Sequence, residues 1–169
     1  MHIDTPRLRL TALSAGQLRL YLDEPARLET ELGHPVSRAV LTDTVRRAIG
    51  MKLAKMETAH PADHPWYTYW LVVLRQPPFG AGLVGYKGIA AGKAEVEIGY
   101  GIDPQYQGRG YTSEAARALV AWAFADPECQ SILALNTLKT NPASLKILKN
   151  LGFVITAEHP GSFDLRLSR

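Results

Sequence analysis

The chain has 169 residues, 46% of them hydrophobic and 21% charged, a composition that suits one soluble globular domain and excludes a disordered protein. Its 19 Lys and Arg residues exceed its 16 Asp and Glu residues by only three and are scattered, which excludes the basic stripe of a nucleic-acid-binding protein. The single cysteine, Cys129, excludes an internal disulfide, and the chain has no signal-like N terminus and no apolar run of membrane length, so we expect a cytoplasmic protein without a membrane partner.

The first half of the chain combines one predicted strand with two predicted helices. Apolar and polar residues alternate over residues 7–13 as in a half-buried strand. Helical spacing of apolar residues follows over 15–33 and over 38–58. His34-Pro35 separates the two patterns, because a residue that precedes proline disfavours the helical conformation.

Three consecutive strands are predicted in the middle of the chain. They are 67–74, 82–89 and 95–102, with the turn signals Gln76-Pro77-Pro78-Phe79-Gly80 and Ala90-Ala91-Gly92-Lys93 between them. An antiparallel meander is the simplest arrangement for strands joined by such short turns.

The last part of the chain alternates between helices and strands. The predicted elements are a helix over 113–125, a strand over 131–137, a helix over 142–151 and a closing hairpin of 153–157 with 163–167. Because a helix connects the strand 95–102 to the strand 131–137, we expect these two strands to be parallel neighbours.

No metal site is predicted. His60 and His64 have the spacing of a metal-binding pair on a helix, but Pro61 and Pro65 oppose a helix there. The segment is therefore expected to be a loop.

The most informative segment is the turn between the strand 95–102 and the helix 113–125. It reads Gln105-Tyr106-Gln107-Gly108-Arg109-Gly110-Tyr111-Thr112-Ser113. Glycines let the backbone approach an anion closely, and the first N–H groups of a helix have no intrahelical partner and carry partial positive charge. The segment therefore predicts a pyrophosphate site. The alternative is a surface turn with an ordinary N-cap at Ser113 and no ligand.

Three segments carry a resemblance to a known family. The spacing Gln-x-x-Gly-x-Gly, from Gln105 to Gly110, resembles the acetyl-CoA signature of the GCN5-related N-acetyltransferase (GNAT) superfamily. Residues 141–153, from Asn141-Pro142 to Gly152-Phe153, resemble the closing helix and strand entry of its ribosomal-protein acetyltransferase branch, and residues 5–11 are similar to that branch's first strand. The resemblance is close over 94–153, weak over 5–90 and absent in the C-terminal tail.

The resemblance implies the fold and the co-substrate. The fold would be a single α/β (α+β) domain over residues 1–169, with a mixed, mostly antiparallel central sheet flanked by helices. The co-substrate would be acetyl-CoA, its pyrophosphate bound by the backbone N–H groups of Gln107, Gly108, Arg109, Gly110, Tyr111 and Thr112. Its pantetheine arm would add to the end of the strand 95–102 at Tyr100, Gly101 and Ile102, and Asn141 would hydrogen-bond the pantetheine or an ordered water.

Two glycines near the end of the strand 95–102 agree with a bound ligand. Gly99 and Gly101 would weaken an ordinary strand, and a strand glycine often marks a bulge or the close approach of another backbone. The alternative is a flexible sheet edge without a ligand.

Glu97 is the candidate general base, because an amine with a pKa near 10 is mostly protonated at neutral pH and must lose a proton before it attacks. Alternation along the strand places Glu95 and Glu97 on one face and Val96, Ile98 and Tyr100 on the other. The alternative is that both glutamates simply face solvent.

The candidate general acid follows from the resemblance and not from spacing. Many members of the superfamily have a tyrosine in the closing helix where this chain has Leu148, which cannot donate a proton. The ribosomal-protein branch instead suggests Ser144. Asn141, Pro142 and Ser144 are also what the first turn of any short helix prefers, so a capping role is the alternative.

The predicted function is transfer of an acetyl group from acetyl-CoA to a primary amine by direct attack in a ternary complex. The acceptor would be a protein N-terminal amine or a small amine, and the protein a monomer or a homodimer. One alternative is a non-catalytic acyl-CoA-binding sensor, which Leu148 favours. A weaker one is a dinucleotide-binding oxidoreductase, since residues 108–113 half-match Gly-x-Gly-x-x-Gly but fail at Ser113.

Overall fold

One mostly antiparallel sheet of eight strands, with helices on both faces, forms the core of the computed structural model, which describes residues 1–89 and 94–169. The predicted turn Ala90-Ala91-Gly92-Lys93 lies outside the described residues. The strands are β1 (His2–Asp4), β2 (Leu8–Ala12), β3 (Tyr69–Arg75), β4 (Pro78–Ile89), β5 (Glu95–Ile102), β6 (Ser131–Leu138), β7 (Val154–Glu158) and β8 (Ser162–Ser168). The helices are α1 (Ala15–Asp23), α2 (Pro25–Leu32), α3 (Asp43–Thr58), α4 (His64–Tyr67), α5 (Tyr111–Ala125) and α6 (Pro142–Asn150).

The strand order is β1-β2-β3-β4-β5-β6-β8-β7. β3, β4 and β5 form the predicted antiparallel meander, and β5 and β6 form the predicted parallel pair. That parallel pairing covers only Glu95 to Glu97 opposite Ser131 to Leu133. Beyond this short contact the two strands are no longer paired, and a gap opens in the middle of the sheet. The fold thus agrees with the predicted mixed sheet, and a dinucleotide-binding domain, which needs a parallel βαβ sheet, is not supported.

Side chains that alternate along the strands build two separate cores. On one face, Leu8 and Leu10 of β2 and Val96 and Ile98 of β5 pack with α5 and α6. On the other face, strand residues such as Leu71 pack with α1, α2 and α3. The sheet therefore separates the molecule into an α5–α6 side and an α1–α3 side.

The helices of the first half differ from the prediction in two places. The pattern over 15–33 forms two helices, α1 and α2, because Pro25 ends one and occupies the first turn of the other, after the non-helical Glu24. α3 begins at Asp43 and not at residue 38, because the Thr42 hydroxyl caps it by accepting from the Val45 backbone N–H at 3.3 Å.

Several boundaries elsewhere also differ from the prediction. β4 begins at Pro78 and not at residue 82, so the turn before it is shorter, and β1 was not predicted. The segment of His60 and His64, predicted as loop, forms a short 3-10 turn followed by α4, because Pro61 and Pro65 lie in first turns, where proline is tolerated. Tyr67, predicted to begin a strand, is the last residue of α4, and β3 begins at Tyr69. Among the described residues, no helix is both long and apolar enough to cross a bilayer.

Candidate active site

The loop before α5 exposes a run of backbone N–H groups. Gly108 and Gly110 have φ values of +73° and +78°, a left-handed conformation that glycine adopts without strain. Gly110 is the N-cap of α5, whose first residue is Tyr111. The helix therefore begins two residues earlier than predicted, and Ser113 lies in its first turn and is not the N-cap.

This geometry leaves the helix start without an internal hydrogen-bond acceptor. Gly110 has no side chain to accept from the first turn, and no acceptor within the described residues takes the backbone N–H groups of 108–113. The N–H of Gln107, by contrast, donates to the carbonyl oxygen of Pro104 at 3.3 Å. Six consecutive donors at a helix N-terminus are suited to an oxyanion such as a phosphate.

The start of the loop is fixed by a buried carboxylate. Asp103 accepts a hydrogen bond from the Ser37 hydroxyl at 2.5 Å and another from the Gln105 backbone N–H at 2.9 Å. Tyr106 stacks on Phe79, with ring centroids 5.1 Å apart. The loop therefore leaves β5 in one defined direction.

The end of the loop is held by the N-terminal segment. Arg7 Nε donates to Glu114 Oε2 at 2.6 Å, and Arg7 Nη1 donates to the carbonyl oxygen of Arg109 at 2.9 Å. The Thr5 hydroxyl donates to Glu114 Oε1 at 2.6 Å. These contacts lower the pKa of the Glu114 carboxyl against the opposing effect of its partial burial. Arg7 thus compensates the negative charge in the first turn of α5, where an anion would otherwise be repelled.

The strand end next to this loop offers open space. A Cβ added to Gly99 or Gly101 would meet no atom within 4 Å, and the edge of β5 that faces β6 is unpaired beyond Glu97. The other edge of β5 is occupied, because Tyr100, Gly101 and Ile102 pair with β4. An extended ligand therefore has room in the gap between β5 and β6.

The gap brings together two predicted site residues from distant parts of the sequence. The hydroxyls of Tyr100 and Ser144 lie 2.9 Å apart, on the α5–α6 side of the sheet. Burial raises the pKa of the Tyr100 phenol, and the Ser144 hydrogen bond opposes this only in part. The phenol is therefore protonated at neutral pH and can donate to the serine oxygen.

The other residues of the closing helix have structural functions. Asn141 caps α6, its Oδ1 accepting from the Ser144 backbone N–H at 3.0 Å. Leu148 is buried in the core of the α5–α6 side. Asn141 is exposed to solvent, so its amide nitrogen remains accessible to a ligand.

The opposite face of β5 carries the two glutamates. Glu97 accepts from Lys87 Nζ, and Glu95 binds Arg166 Nη2 through both carboxylate oxygens, one of them at 2.7 Å. Both glutamates line an open cavity of about 1080 Å³ between α3 and strands β4 to β6. Glu97 is thus partly shielded, with 19% of its side chain exposed, and it faces a cavity rather than bulk solvent.

A lysine that sequence reasoning missed lies at the floor of this cavity. Lys52 is only 5% exposed, and its Nζ donates to the carbonyl oxygens of Tyr67 at 3.1 Å, Thr68 at 3.3 Å and Tyr86. Burial, with repulsion from two nearby lysines, lowers its pKa to about 7. In the sequence, only its place on the apolar side of the predicted helix 38–58 could have marked Lys52 as buried. The helical spacing does not show that three residues from elsewhere in the chain contribute carbonyl oxygens to it.

Comparison with known proteins identifies the family. Residues 7–154 match the family described as "Acetyltransferase (GNAT) domain". A segment of 61 residues is 34% identical to an uncharacterized N-acetyltransferase, YnaD, of Bacillus subtilis, and covers 36% of this chain and 35% of that protein. The chain therefore aligns with only about a third of this curated relative.

Solved structures share the fold over nearly the whole chain. A ribosomal-protein-S5-alanine acetyltransferase of Vibrio fischeri superposes with a TM-score of 0.68 at 20% identity, over 99% of this chain and 96% of that one. A chimera of the spermidine N-acetyltransferase SpeG of Vibrio cholerae and hSSAT gives 0.62 at 17% identity, over 96% and 95%. At these identities the likeness establishes the architecture and not the acceptor.

Proposed function

Because the chain belongs to the GNAT acetyltransferase family, we propose that it transfers an acetyl group from acetyl-CoA to a primary amine within a ternary complex. The observation that carries this proposal is the run of unpartnered backbone N–H groups at 108–113, next to the gap between β5 and β6. A coenzyme A thioester requires hydrogen-bond donors for its diphosphate and an unpaired strand edge for its extended pantetheine arm, and this segment offers both.

The proposed binding mode uses backbone groups almost entirely. The N–H groups of Gly108, Arg109, Gly110, Tyr111 and Thr112 would bind the diphosphate, while Gln107, whose N–H is already bonded to Pro104, would contribute less than predicted. Ser113, whose N–H is also free, joins this set.

The pantetheine arm would lie along the open edge of β5. Tyr100, Gly101 and Ile102 line that edge, and Asn141 offers its amide nitrogen at the start of α6. Acetyl-CoA would supply the activated acetyl group, and the residues on the two sides of the gap would move the protons.

Glu97 is the proposed general base. It lies on the α1–α3 side, next to the point where β5 and β6 separate, so an amine in the cavity could reach a thioester in the gap. Its carboxylate would accept the amine's proton, directly or through water. Lys87, whose side chain is 62% exposed, would have to give up its hydrogen bond to Glu97 for that transfer.

Ser144 is the proposed proton donor to the departing thiolate, on the α5–α6 side. A thiol with a pKa near 8.5 can leave without help, so the donor accelerates the step without being essential. The Tyr100 hydroxyl, 2.9 Å away, would orient the serine and return a proton to it, and solvent would then restore the proton of the phenol. Base and acid would thus act from opposite faces of the sheet.

A non-catalytic acyl-CoA sensor is the second candidate. The observation that favours it is Leu148, which is 1% exposed and cannot itself donate a proton. The two candidates share the coenzyme site and differ only in turnover.

The test is release of free thiol from acetyl-CoA in the presence of a panel of amines and peptides. We expect turnover by the native chain and a fall in kcat on the order of a hundredfold in Glu97→Gln. Glu95→Gln is the matched control, because Glu95 lines the same cavity on the same face of β5 but lies two residues before Glu97, further from the gap. We expect this variant to retain kcat within a few fold. Coenzyme A binding without turnover of any amine would favour the sensor.

A further inference from the structure

The cavity between α3 and the sheet has an unbalanced charge. Its lining includes two carboxylates and four cations, namely Glu95, Glu97, Arg47, Lys52, Lys55 and Lys87. Both carboxylates already have partners, Glu95 in Arg166 and Glu97 in Lys87. Within residues 1–89 and 94–169, the cations of α3 therefore have no compensating carboxylate in the cavity.

Two of these cations are accessible. Arg47 Nε donates to the backbone carbonyl of Asp43 at 3.4 Å, and Lys55 Nζ donates to the backbone carbonyl of Lys87 at 2.7 Å. Neither forms an ion pair with any carboxylate within 1–89 or 94–169, and both side chains lie on the exposed part of α3. Lys52 lies beneath them, buried against carbonyl oxygens.

The remaining wall of the cavity is apolar. Met51 of α3 is 64% exposed and Leu135 of β6 is 37% exposed, and both line the cavity with Val45 and Ala48. A ligand here would meet an apolar surface, one carboxylate near the gap and a cationic rim on α3.

We infer that the acceptor is a primary amine that also carries a carboxylate or similar anionic group, and not a polyamine; this inference rests on the proposed function. The amine would approach Glu97 at the gap while the anion meets Lys55 and Arg47. A second ammonium group would instead be brought against those cations, which raises the free energy of the complex.

The test uses acceptors in which one group is anionic, neutral or cationic while the reacting amine is retained. One series is 4-aminobutyrate, 4-aminobutanamide and 1,4-diaminobutane; the other is a C-terminally amidated peptide with a free N-terminal amine followed by Asp, Asn or Lys. In whichever series the protein acetylates, we expect the kcat/KM of the anionic acceptor to exceed that of the cationic acceptor by at least about tenfold. The two series distinguish a small amino acid from an acidic peptide as the acceptor.

Two variants connect the preference to the cavity. Lys55→Met and Arg47→Met should each reduce the preference for the anionic acceptor several fold while coenzyme A affinity stays unchanged. Arg27→Met is the matched control, because Arg27 is an exposed arginine on α2 that pairs with Glu24 and does not line the cavity. It should leave the preference intact.

A binding measurement separates this inference from the proposed function. Calorimetry of each acceptor with the coenzyme A-loaded protein reports the charge preference even if no acetyl transfer occurs. Stronger binding of the anionic member supports the inference, whereas equal binding, stronger binding of the diamine or no binding of any anionic member overturns it. Failure of the proposed function would instead appear as absence of coenzyme A binding or of thiol release.

Discussion

The hydroxyl pair of Tyr100 and Ser144 joins residues 44 positions apart in the sequence, and only one of the two was predicted as a proton donor. Tyr100 was predicted from its backbone, as a residue lining the pantetheine. Its side chain alternates onto the same face as Val96 and Ile98, and that face turns out to adjoin α6. Strand alternation gave the face correctly, but the helix that packs against it is a non-local feature.

The pair predicts non-additive kinetics. Ser144→Ala and Tyr100→Phe should each lower kcat by roughly tenfold, because each breaks the same proton path. The double variant should be no slower than the slower single variant, since the residues act as one unit. Steady-state rates with saturating acetyl-CoA measure this, and multiplicative losses would show that the two hydroxyls act independently.

Gly110 is a residue at which substitution should disturb the loop conformation. Alanine at its φ of +78° costs about 1 kcal/mol or more, and the added Cβ would lie 3.4 Å from Arg7 Nη2. Gly110→Ala should therefore lower both thermal stability and coenzyme A affinity.

Gly50 supplies the control for that change. It lies inside α3 with no atom within 4 Å of an added Cβ, so Gly50→Ala should raise stability by roughly 0.5–1 kcal/mol and leave coenzyme A affinity unchanged. Melting curves with and without coenzyme A measure both effects. Equal responses of the two variants would mean that the loop conformation does not matter for binding.

The lowered pKa of Lys52 predicts that the free energy of unfolding depends on pH. Its pKa is lowered from 10.5 to about 7 in the folded protein, so below about pH 7 both states are protonated and the full burial penalty applies. Between about pH 7 and 10.5 the unfolded state binds more protons than the folded state, and stability rises with pH. The Lys52→Met variant lacks this contribution.

The measurement is urea unfolding of both proteins from pH 6 to pH 10. The free energy of unfolding of the native chain should rise relative to that of Lys52→Met across this interval, because all other titrations are shared. A constant difference would mean that the three carbonyl oxygens keep the ammonium charged in the folded protein.

At the scale of elements, the N-terminal segment contacts α5 and thereby holds the loop that precedes this helix, where the coenzyme is proposed to bind. Arg7 is half exposed, so its ion pair with Glu114 contributes at most about 1 kcal/mol to stability. Its larger effect is on the loop, through the hydrogen bond to the Arg109 carbonyl. Arg7→Met should therefore lower coenzyme A affinity several fold with little change in melting temperature.

Arg9→Met is the comparison for this prediction. Arg9 lies on β2 and forms a similarly exposed ion pair with Asp4, at 2.8 Å, away from the loop. Calorimetric titration should give native affinity for Arg9→Met. Parallel losses in both variants would assign the effect to general destabilisation.

Most elements could be predicted from the sequence, and the errors have local causes. Strand alternation and the helical crossover correctly gave the meander and the parallel β5–β6 pair. Periodicity alone merged α1 and α2, because it does not register the break at Pro25. It also started α3 too early, because Val40 and Leu41 before Thr42 are buried without being helical. β1 has only three residues, too few to show alternation.

At the scale of the whole molecule, the site depends on an interruption in the sheet. The glycines and the backbone N–H donors of the loop before α5 are contiguous in sequence, and the sequence predicted this segment as an anion site. The cavity was not predicted, because it is formed where α3 packs against β4, β5 and β6, so that the basic residues of α3 meet the glutamates of β5 only in the folded protein. The proposed acceptor preference is therefore a property of tertiary structure, whereas the proposed coenzyme site is largely a property of one segment.

In the proposed coenzyme site, the backbone N–H groups of residues 108–113 would bind the diphosphate of acetyl-CoA. The most direct measurement is the amide NMR spectrum of isotopically labelled protein during titration with coenzyme A, compared with pantetheine, which lacks the diphosphate. We expect coenzyme A to shift the amide signals of residues 108–113 most strongly, and pantetheine to shift signals near Gly99 and Gly101 while leaving the loop signals in place. Loop signals that do not move with coenzyme A would contradict this binding mode.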